Sequence, residues 1–281
     1  MKKIILTLFL LISCATLQYS QTLKIMTYNI RYDNPDDGEN KWQFRKGTMA
    51  ELIRFHEPDI FGIQEGLANQ LTFLDSALPN YKHIGIGRDA NGTGEHSCIF
   101  YNAKRFKLIK QATFWLSETP DVISKGWDAA LNRICTYGLF KDELTKQHIW
   151  VFNTHFDYQG DAARMNSAKL IYNKINTLNK EHYPVILTGD FNLEPESAPI
   201  KFLSGVMIET KFATSNSFGN QGTFNNFEFD KPVTSRIDYI FTSKTGLKTL
   251  KYGILSDSKN CHYPSDHLPV FAELKYTGKA K

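Results

Sequence analysis

Six places in this 281-residue chain put a polar side chain at the end of an apolar run, and their types suit cation binding and proton transfer. Asn29 closes the run 25–28, Glu65 the run 60–64, His155 the run 149–154 and Asp190 the run 185–189. Asp238 lies inside 237–241, and Asp266 with His267 precedes 268–271. Side chains alternate across a strand, so Asp190 and Asn192 face one way if the backbone stays extended; Asn153, His155 and Asp157 do likewise. Singly, each is ordinary. A strand-end acid is usually a turn former or cap, a lone His is usually structural, and Asp190-Phe191-Asn192 reads as a turn into Pro195. Six together are harder to assign to turns, because sites in α/β proteins gather at strand ends and the loops after them.

The residue types suit one reaction. Carboxylate and amide oxygens are hard ligands that select Mg²⁺ or Mn²⁺ over zinc. Such an ion neutralises phosphate charge and polarises the P–O bond. A His held by a carboxylate supplies a base or a charged donor near neutral pH. No Ser or Cys has an adjacent base, which favours direct attack by water over a covalent nucleophile.

The elements that must position these residues are short and mixed. Strand-like runs fall at 23–30, 59–64, 81–87, 97–101, 106–116 (as one strand or two), 133–140, 148–154, 185–188, 237–242 and 270–276. Helical spacing falls at 46–56, stopped by Pro58, and at 67–77, 162–178 and 197–203. The Gly85-Ile86-Gly87 and Gly92-Thr93-Gly94 turns lead into a strand rather than a helix, so they read as a hairpin or rim loop and not as a dinucleotide fingerprint. No linker or repeat divides the chain. The pattern predicts one α/β domain, two packed sheets with helices outside.

Composition narrows the class. At 42% apolar and 22% charged the chain is an ordinary globular protein, with nothing that points to disorder. Residues 1–20 read as an export signal, with Lys2 and Lys3 before an apolar stretch too short to span a bilayer. Two endings stay open. Leu11-Ile12-Ser13-Cys14 resembles a lipobox that would leave an acylated Cys14 as the mature N-terminus; cleavage near Ser20-Gln21 would release a soluble protein. Either way the expectation is an exported chain, periplasmic or secreted, with no transmembrane segment and a monomeric state. Losing both lysines takes the formal charge from +4 to 4 − 2 = +2, and no basic stripe appears, which argues against a general nucleic-acid binder. Cys98, Cys135 and Cys261 are an odd set without zinc-ligand spacing, so free thiols are expected.

At these residues the chain resembles the endonuclease/exonuclease/phosphatase superfamily of DNase I-like enzymes. The matching motifs are Thr27-Tyr28-Asn29-Ile30, Gln64-Glu65, Asn153-Thr154-His155, Gly189-Asp190-Phe191-Asn192, Arg236-Ile237-Asp238-Tyr239-Ile240 and Ser265-Asp266-His267. They run in the family's order from Leu23 to about Leu274. The resemblance implies a four-layer α/β/β/α sandwich over 23–278, with two mixed sheets and the site at one end of both. It implies Mg²⁺ (or Mn²⁺) held chiefly by Glu65, with Asn29 and Asp266 completing the shell directly or through water. Asp190 and Asn192 would orient the attacking water and a phosphate oxygen. His267 would contact the phosphate or act as base, its tautomer set by Asp238, and His155 would donate to the transition state. Whether Asp190 or His267 is the base stays open.

Asn29-Ile30-Arg31-Tyr32-Asp33, Gly126-Trp127-Asp128-Ala129-Ala130 and Asn132-Arg133-Ile134-Cys135 further resemble a bacterial branch near the CCR4/nocturnin-like deadenylases. Arg133 is the candidate for a second phosphate clamp, since guanidinium forks suit phosphate oxygens; the alternative is a salt bridge to Asp128 or Asp142. Arg31 and Asp33 either line the rim or form the loop. Arg164 either reaches the site or makes a surface salt bridge. Glu95-His96 is a candidate for approaching the metal. Trp42, Trp115 and Trp127 either stack on a base or sugar or belong to core and rim. The expected activity is hydrolysis of a phosphodiester, or a phosphomonoester, of a small molecule or nucleotide. A secreted nuclease is the alternative, and a non-enzymatic binding module on the same fold a third reading. Lipid head groups rank lower, because no long apolar insertion would dock a membrane.

Overall fold

The computed structural model describes residues 22–278; the expected leader and Cys14 lie outside the described residues. The order is β1 (Thr22–Asn29), α1 (Trp42–His56), β2 (Ile60–Gln64), α2 (Ala68–Ala77), β3 (Tyr81–Ile84), β4 (Ile99–Asn102), β5 (Phe106–Trp115), β6 (Ile134–Asp142) and β7 (His148–His155). Then come α3 (Asp161–Leu178), β8 (Val185–Asp190), α4 (Ala198–Val206), β9 (Ile208–Glu209), β10 (Ser217–Gly219), β11 (Asp238–Thr242), β12 (Leu247–Ile254) and β13 (Val270–Tyr276). One sheet has the order β10-β12-β13-β1-β2-β4-β3 and the other β5-β6-β7-β8-β11-β9.

Strand alternation divides the apolar residues into three cores. Leu23 and Ile25 of β1 and Ile60 of β2 face Ile149 and Val151 of β7, Ile186 of β8 and Ile240 of β11 between the sheets. The opposite side of β1 and β2 (Met26, Tyr28, Phe61, Ile63) is covered by Trp42, Met49 and Ile53 of α1 and Leu71 and Leu74 of α2. The opposite side of β7 and β8 (Trp150, Phe152, Leu187) is covered by α3 and α4 through Ala168, Ile171, Ile175, Ile200 and Leu203. The result is the four-layer α/β/β/α sandwich.

The inner faces change character along the strands. Past the apolar rows lie buried Thr27, Gln64, Asn153 and Thr188. Gln64 Nε2 donates to Thr27 Oγ1 at 3.0 Å and to Asn153 Oδ1 at 2.7 Å, and Thr188 Oγ1 donates to the same Asn153 oxygen at 3.0 Å. Asn153 Nδ2 donates to the carbonyls of Ile63 and Cys98. This layer ties the two sheets together immediately beneath the strand ends that carry the candidate site. Gly62 leaves room for it: a Cβ there would fall 2.3 Å from Asn153 Oδ1 and 2.6 Å from Thr188 Oγ1. Gly62→Ala is therefore expected to cost about 2–5 kcal/mol, from overpacking plus broken buried hydrogen bonds. A urea titration that found an unchanged midpoint would contradict this.

Several boundaries differ from the sequence expectation. The expected run 106–116 forms one strand, Phe106–Trp115, with a register irregularity between Leu108 and Lys110. α1 begins at Trp42, four residues before the expected 46. β3 stops at Ile84, before Gly85 with its positive φ of 122°. The periodicity reading assigned no element between 243 and 269, yet β12 lies there between β10 and β13. Its ladder slips between Thr249 and Lys251, and that irregularity breaks the period-two signal. Cys98, Cys135 and Cys261 are free, the first two buried. No helix among the described residues is long and apolar enough to cross a membrane.

Candidate active site

The site is assembled by strand register. β1 runs parallel to β2 with Asn29 opposite Gln64, so Glu65 follows beside it in a left-handed conformation (φ 63°). β7 runs parallel to β8 with His155 opposite Asp190. β11 runs antiparallel to β8, and this places its first residue, Asp238, opposite Asp190. Three neighbouring strands thus present His155, Asp190 and Asp238 in a row. Asp266 and His267 enter from the loop before β13; Ser265 Oγ donates to the Asn29 carbonyl at 2.7 Å and pins that loop to the end of β1.

Asp190 is the hub. Its Oδ2 accepts from Asn29 Nδ2 at 2.9 Å and lies 3.5 Å from His155 Nε2 and 3.8 Å from His267 Nε2. Its Oδ1 accepts from the Asn192 N–H at 2.8 Å. Asn192 turns back through a left-handed backbone (φ 51°), and its Nδ2 donates to the Phe156 carbonyl and to His155 Nε2, each at 3.0 Å. Because Phe156 O can only accept, the amide orientation is set, and His155 Nε2 is the acceptor. Its proton then sits on Nδ1, 4.0 Å from Glu95 Oε2. Asn29 Nδ2 also donates to Glu65 Oε1 at 3.0 Å, its Oδ1 accepts the Arg31 N–H at 3.0 Å, and Glu65 Oε2 accepts the Tyr32 N–H at 3.1 Å. As placed, Asn29 bridges Glu65 to Asp190 and has given its oxygen to the backbone.

Burial separates the titrating groups. Asp190 is pushed up to about 7 by burial and by the charge of Asp238, against His267, Asn29 and Asn192. Burial alone would lower His267, but Asp238 and Asp190, with Asp266, overcome it and raise it to about 10; Asp238 Oδ2 lies 2.9 Å from Nδ1. Burial and the nearby Arg133, His267 and Arg88 cations hold His155 well below its ordinary value, so it is neutral. Asp266 is raised by burial and by Glu65, against His267, Arg31 and Arg45. A buried neutral or weakly ionised acid beside a fixed imidazolium is an arrangement that can take a proton at one point and donate one at another.

The structure brings all eight expected residues together. Glu65, His155, Asp190, Asn192, Asp266 and His267 line a cleft of about 590 Å³, with Asn29 and Asp238 buried behind them. Asp190, Asp238 and His267 offer ligand atoms within 4.8 Å of one another, a buried group that could hold a metal. Arg31 and Arg133 both line the cleft. Arg31 forks onto Asp37 at 3.0 and 2.9 Å, with Nε 3.8 Å from Asp266 Oδ2.

Arg133 makes neither of the expected salt bridges. Asp142 is taken by Arg105, and Asp128 accepts the Ala162 and Ala163 N–H groups at the start of α3. The carboxylate beside Arg133 is Asp157, 3.5 Å from Nε. Arg164 pairs with Asp161. Trp42 and Trp115 are buried, Trp127 half-buried, and none of the three lines the cleft. Glu95 does line it; His96 is turned to the Gly66 carbonyl. Sequence reasoning passed over the aromatic side chains of the cleft: Tyr32, Tyr158, Phe224 and Phe227. Tyr32 and Tyr158 sit three residues past the strand-end residues Asn29 and His155, and the strand-end rule applied to aromatics would have found them.

Two packed sheets between outer helices, with this acid, amide and imidazole cluster at the strand ends, define a DNase I-like hydrolase of phosphate esters. Residues 26–267 match the Endonuclease/Exonuclease/phosphatase family, and the chain belongs to it. A mannosyl-6-phosphatase of Bacteroides thetaiotaomicron is 40% identical, with a TM-score of 0.86 over 90% of this chain and 100% of that one. An uncharacterized protein of Acanthamoeba polyphaga mimivirus is 32% identical over 254 residues, 82% of this chain and 91% of its own length. Human nocturnin is 21% identical over 290 residues, 91% of this chain but 65% of nocturnin, which agrees with the expected neighbourhood of the branch.

Proposed function

We propose that this chain is an exported, divalent-metal-dependent phosphoesterase that hydrolyses a phosphomonoester of a small polar molecule by direct attack of water. The observation that carries the reading is the position of Asp190, at the floor of the cleft and within reach of both histidines and both amides. Asp190 near 7 is half ionised at neutral pH and suits the base that takes a proton from water. His267, protonated to about 10, is a donor to a phosphate oxygen and leaves the base role to Asp190. Asn192 aligns the water and holds His155, and Asp238 keeps the His267 proton in place.

Mg²⁺ or Mn²⁺ fits the donor set, because the Asp266 carboxyl is raised by burial and by neighbouring Glu65, a clash of hard anionic oxygens that a cation relieves. Glu65 and Asp266 would hold it, with Asn29 bracing Glu65, and when bound it supplies neutralisation of phosphate charge. A small substrate is supported by the sparse cations of the cleft, Arg31 and Arg133, and by the printed name of the Bacteroides thetaiotaomicron relative. Export through residues 1–20, with or without a lipid on Cys14, and a monomeric state belong to the same reading.

The test is a panel of sugar 6-phosphates, nucleotides, a generic diester, DNA and RNA, each with Mg²⁺, Mn²⁺ or EDTA. Sugar phosphates are expected to turn over, with loss in EDTA and rescue by added metal. Inertness on every substrate, or preference for DNA or RNA, would overturn the reading. The profile of kcat/KM is expected to rise with pH through about 7 and to fall through about 10. The Asp238 charge raises both groups, so Asp238→Asn is expected to move both limbs toward acid. A shift of only one limb would sever the link drawn here between Asp238 and the pair.

A further inference from the structure

Arg133 is a buried cation whose nearby carboxylates are already engaged. It is 5% exposed, and its Nε has no hydrogen-bond partner among the described residues. Asp157, 3.5 Å away, spends both oxygens on backbone donors: Oδ2 accepts from Ala130 and Leu131, Oδ1 from Gln159 and Gly160. Glu95, which with Asp157 and Asp190 acts on Arg133, accepts Arg88 Nη1 at 2.9 Å. The cleft that Arg133 lines also holds His155 and Asp190. A desolvated guanidinium whose one ion pair carries no hydrogen bond is stabilised further when a ligand supplies an acceptor.

We propose that Arg133 is the residue that selects phosphomonoesters over phosphodiesters, by binding the terminal oxygen and extra charge that only a monoester dianion carries. This rests on the phosphoesterase reading above. A diester offers two non-bridging oxygens sharing one charge. A monoester offers three sharing up to two, and the third can take the additional charged donor that Arg133 presents in the same cleft. Arg133 stands in the wall of the same cleft, and Tyr158 flanks it, with its ring centroid 6.0 Å from the guanidinium carbon. The fork matches a phosphoryl edge, whereas an ammonium at this position would be a point charge.

The experiment compares p-nitrophenyl phosphate with bis(p-nitrophenyl) phosphate for wild type, Arg133→Met and Arg133→Lys, all loaded with Mn²⁺. The monoester-to-diester ratio of kcat/KM is expected to fall roughly tenfold to hundredfold in Arg133→Met, the worth of a charged hydrogen bond, and by less in Arg133→Lys. Equal loss on both substrates would assign Arg133 a structural role and overturn the proposal, as would an unchanged ratio. Calorimetric binding of inorganic phosphate and of dimethyl phosphate is the second readout. Wild type is expected to prefer inorganic phosphate, and Arg133→Met to lose that preference. If wild type hydrolysed neither ester nor any substrate of the panel above, the phosphoesterase reading would fall, while the binding comparison would still decide whether Arg133 reads the dianion. Should Arg133→Met not fold, the Arg133 Nε–H signal of the wild-type chain, assigned with Arg133→Lys, is expected to shift with inorganic phosphate and not with dimethyl phosphate. The same shift with both ligands would overturn the proposal.

Discussion

Asp190→Asn is expected to lower kcat by about 10²–10⁴-fold and, at alkaline pH, to make the protein more stable rather than less. The two effects share a cause. Asp190 is fully buried against Asp238, and its carboxyl sits near 7 instead of its ordinary 3.8. A carboxyl raised in the folded state favours the protonated form. Its contribution to stability is present below 3.8 and is lost as pH climbs through about 7. The ionised carboxylate, the form in which Asp190 would serve as base, is therefore held at the expense of the fold. Asparagine keeps an oxygen for the Asn192 N–H, gives up the acceptor that Asn29 Nδ2 uses, and removes the repulsion with Asp238, which outweighs that one hydrogen bond. Melting curves of the metal-free protein should show the variant above wild type at about pH 8, with the gap closing toward about pH 5. If Asp190→Asn melted lower than wild type at both pH values, the description of Asp190 as a strained base would be wrong. If it kept full activity, the base would have to be sought elsewhere.

The second large effect is expected at Glu65. Its carboxylate is held from two sides, by Asn29 Nδ2 and by the Tyr32 N–H, and it lines the cleft on a left-handed backbone. Glu65→Gln preserves size and removes the charge that a cation would meet. Wild type is expected to gain about 2.7 kcal/mol of stability from Mn²⁺ at a hundred times its dissociation constant, and Glu65→Gln close to none at the same concentration. Activity should fall about 10³-fold or more, since charge neutralisation by the ion is worth several kcal/mol. Thermal melts with and without Mn²⁺, together with calorimetric titration, read the two parts separately. An unchanged Mn²⁺ shift in Glu65→Gln would remove Glu65 from the metal shell and leave the buried Asp190, Asp238 and His267 group as the place where a cation could sit.

Raising the pH also acts on His267. Its folded value is near 10 against an ordinary 6.5, so the stability it brings is fully present below 6.5 and is lost as pH rises through about 10. Asp190 and His267 therefore work in the same direction, and metal-free protein should weaken steadily from neutral to alkaline pH. Mn²⁺ is expected to offset more of that loss at the alkaline end, where Asp190 is fully ionised.

The sequence alone determined most of what depends on local pattern. Apolar alternation marked the strands whose ends carry Asn29, Glu65, His155 and Asp190, and β13 coincides with the run expected at 270–276. Helical spacing found all four α-helices, because each buries one stripe against a sheet. The pattern failed where the backbone departs from its period, as at β12, whose ladder slips after Thr249. Tertiary structure alone decided which groups meet and in what charge state. Asn29 and Asp190 are 161 positions apart and share a hydrogen bond, and Arg133 found Asp157 instead of either expected acid. The choice between Asp190 and His267 as base was open in the sequence, because a side chain's proton affinity is set by desolvation and by charges a few ångströms away. Those neighbours come from other strands, and only the register of β7, β8 and β11 brings them side by side.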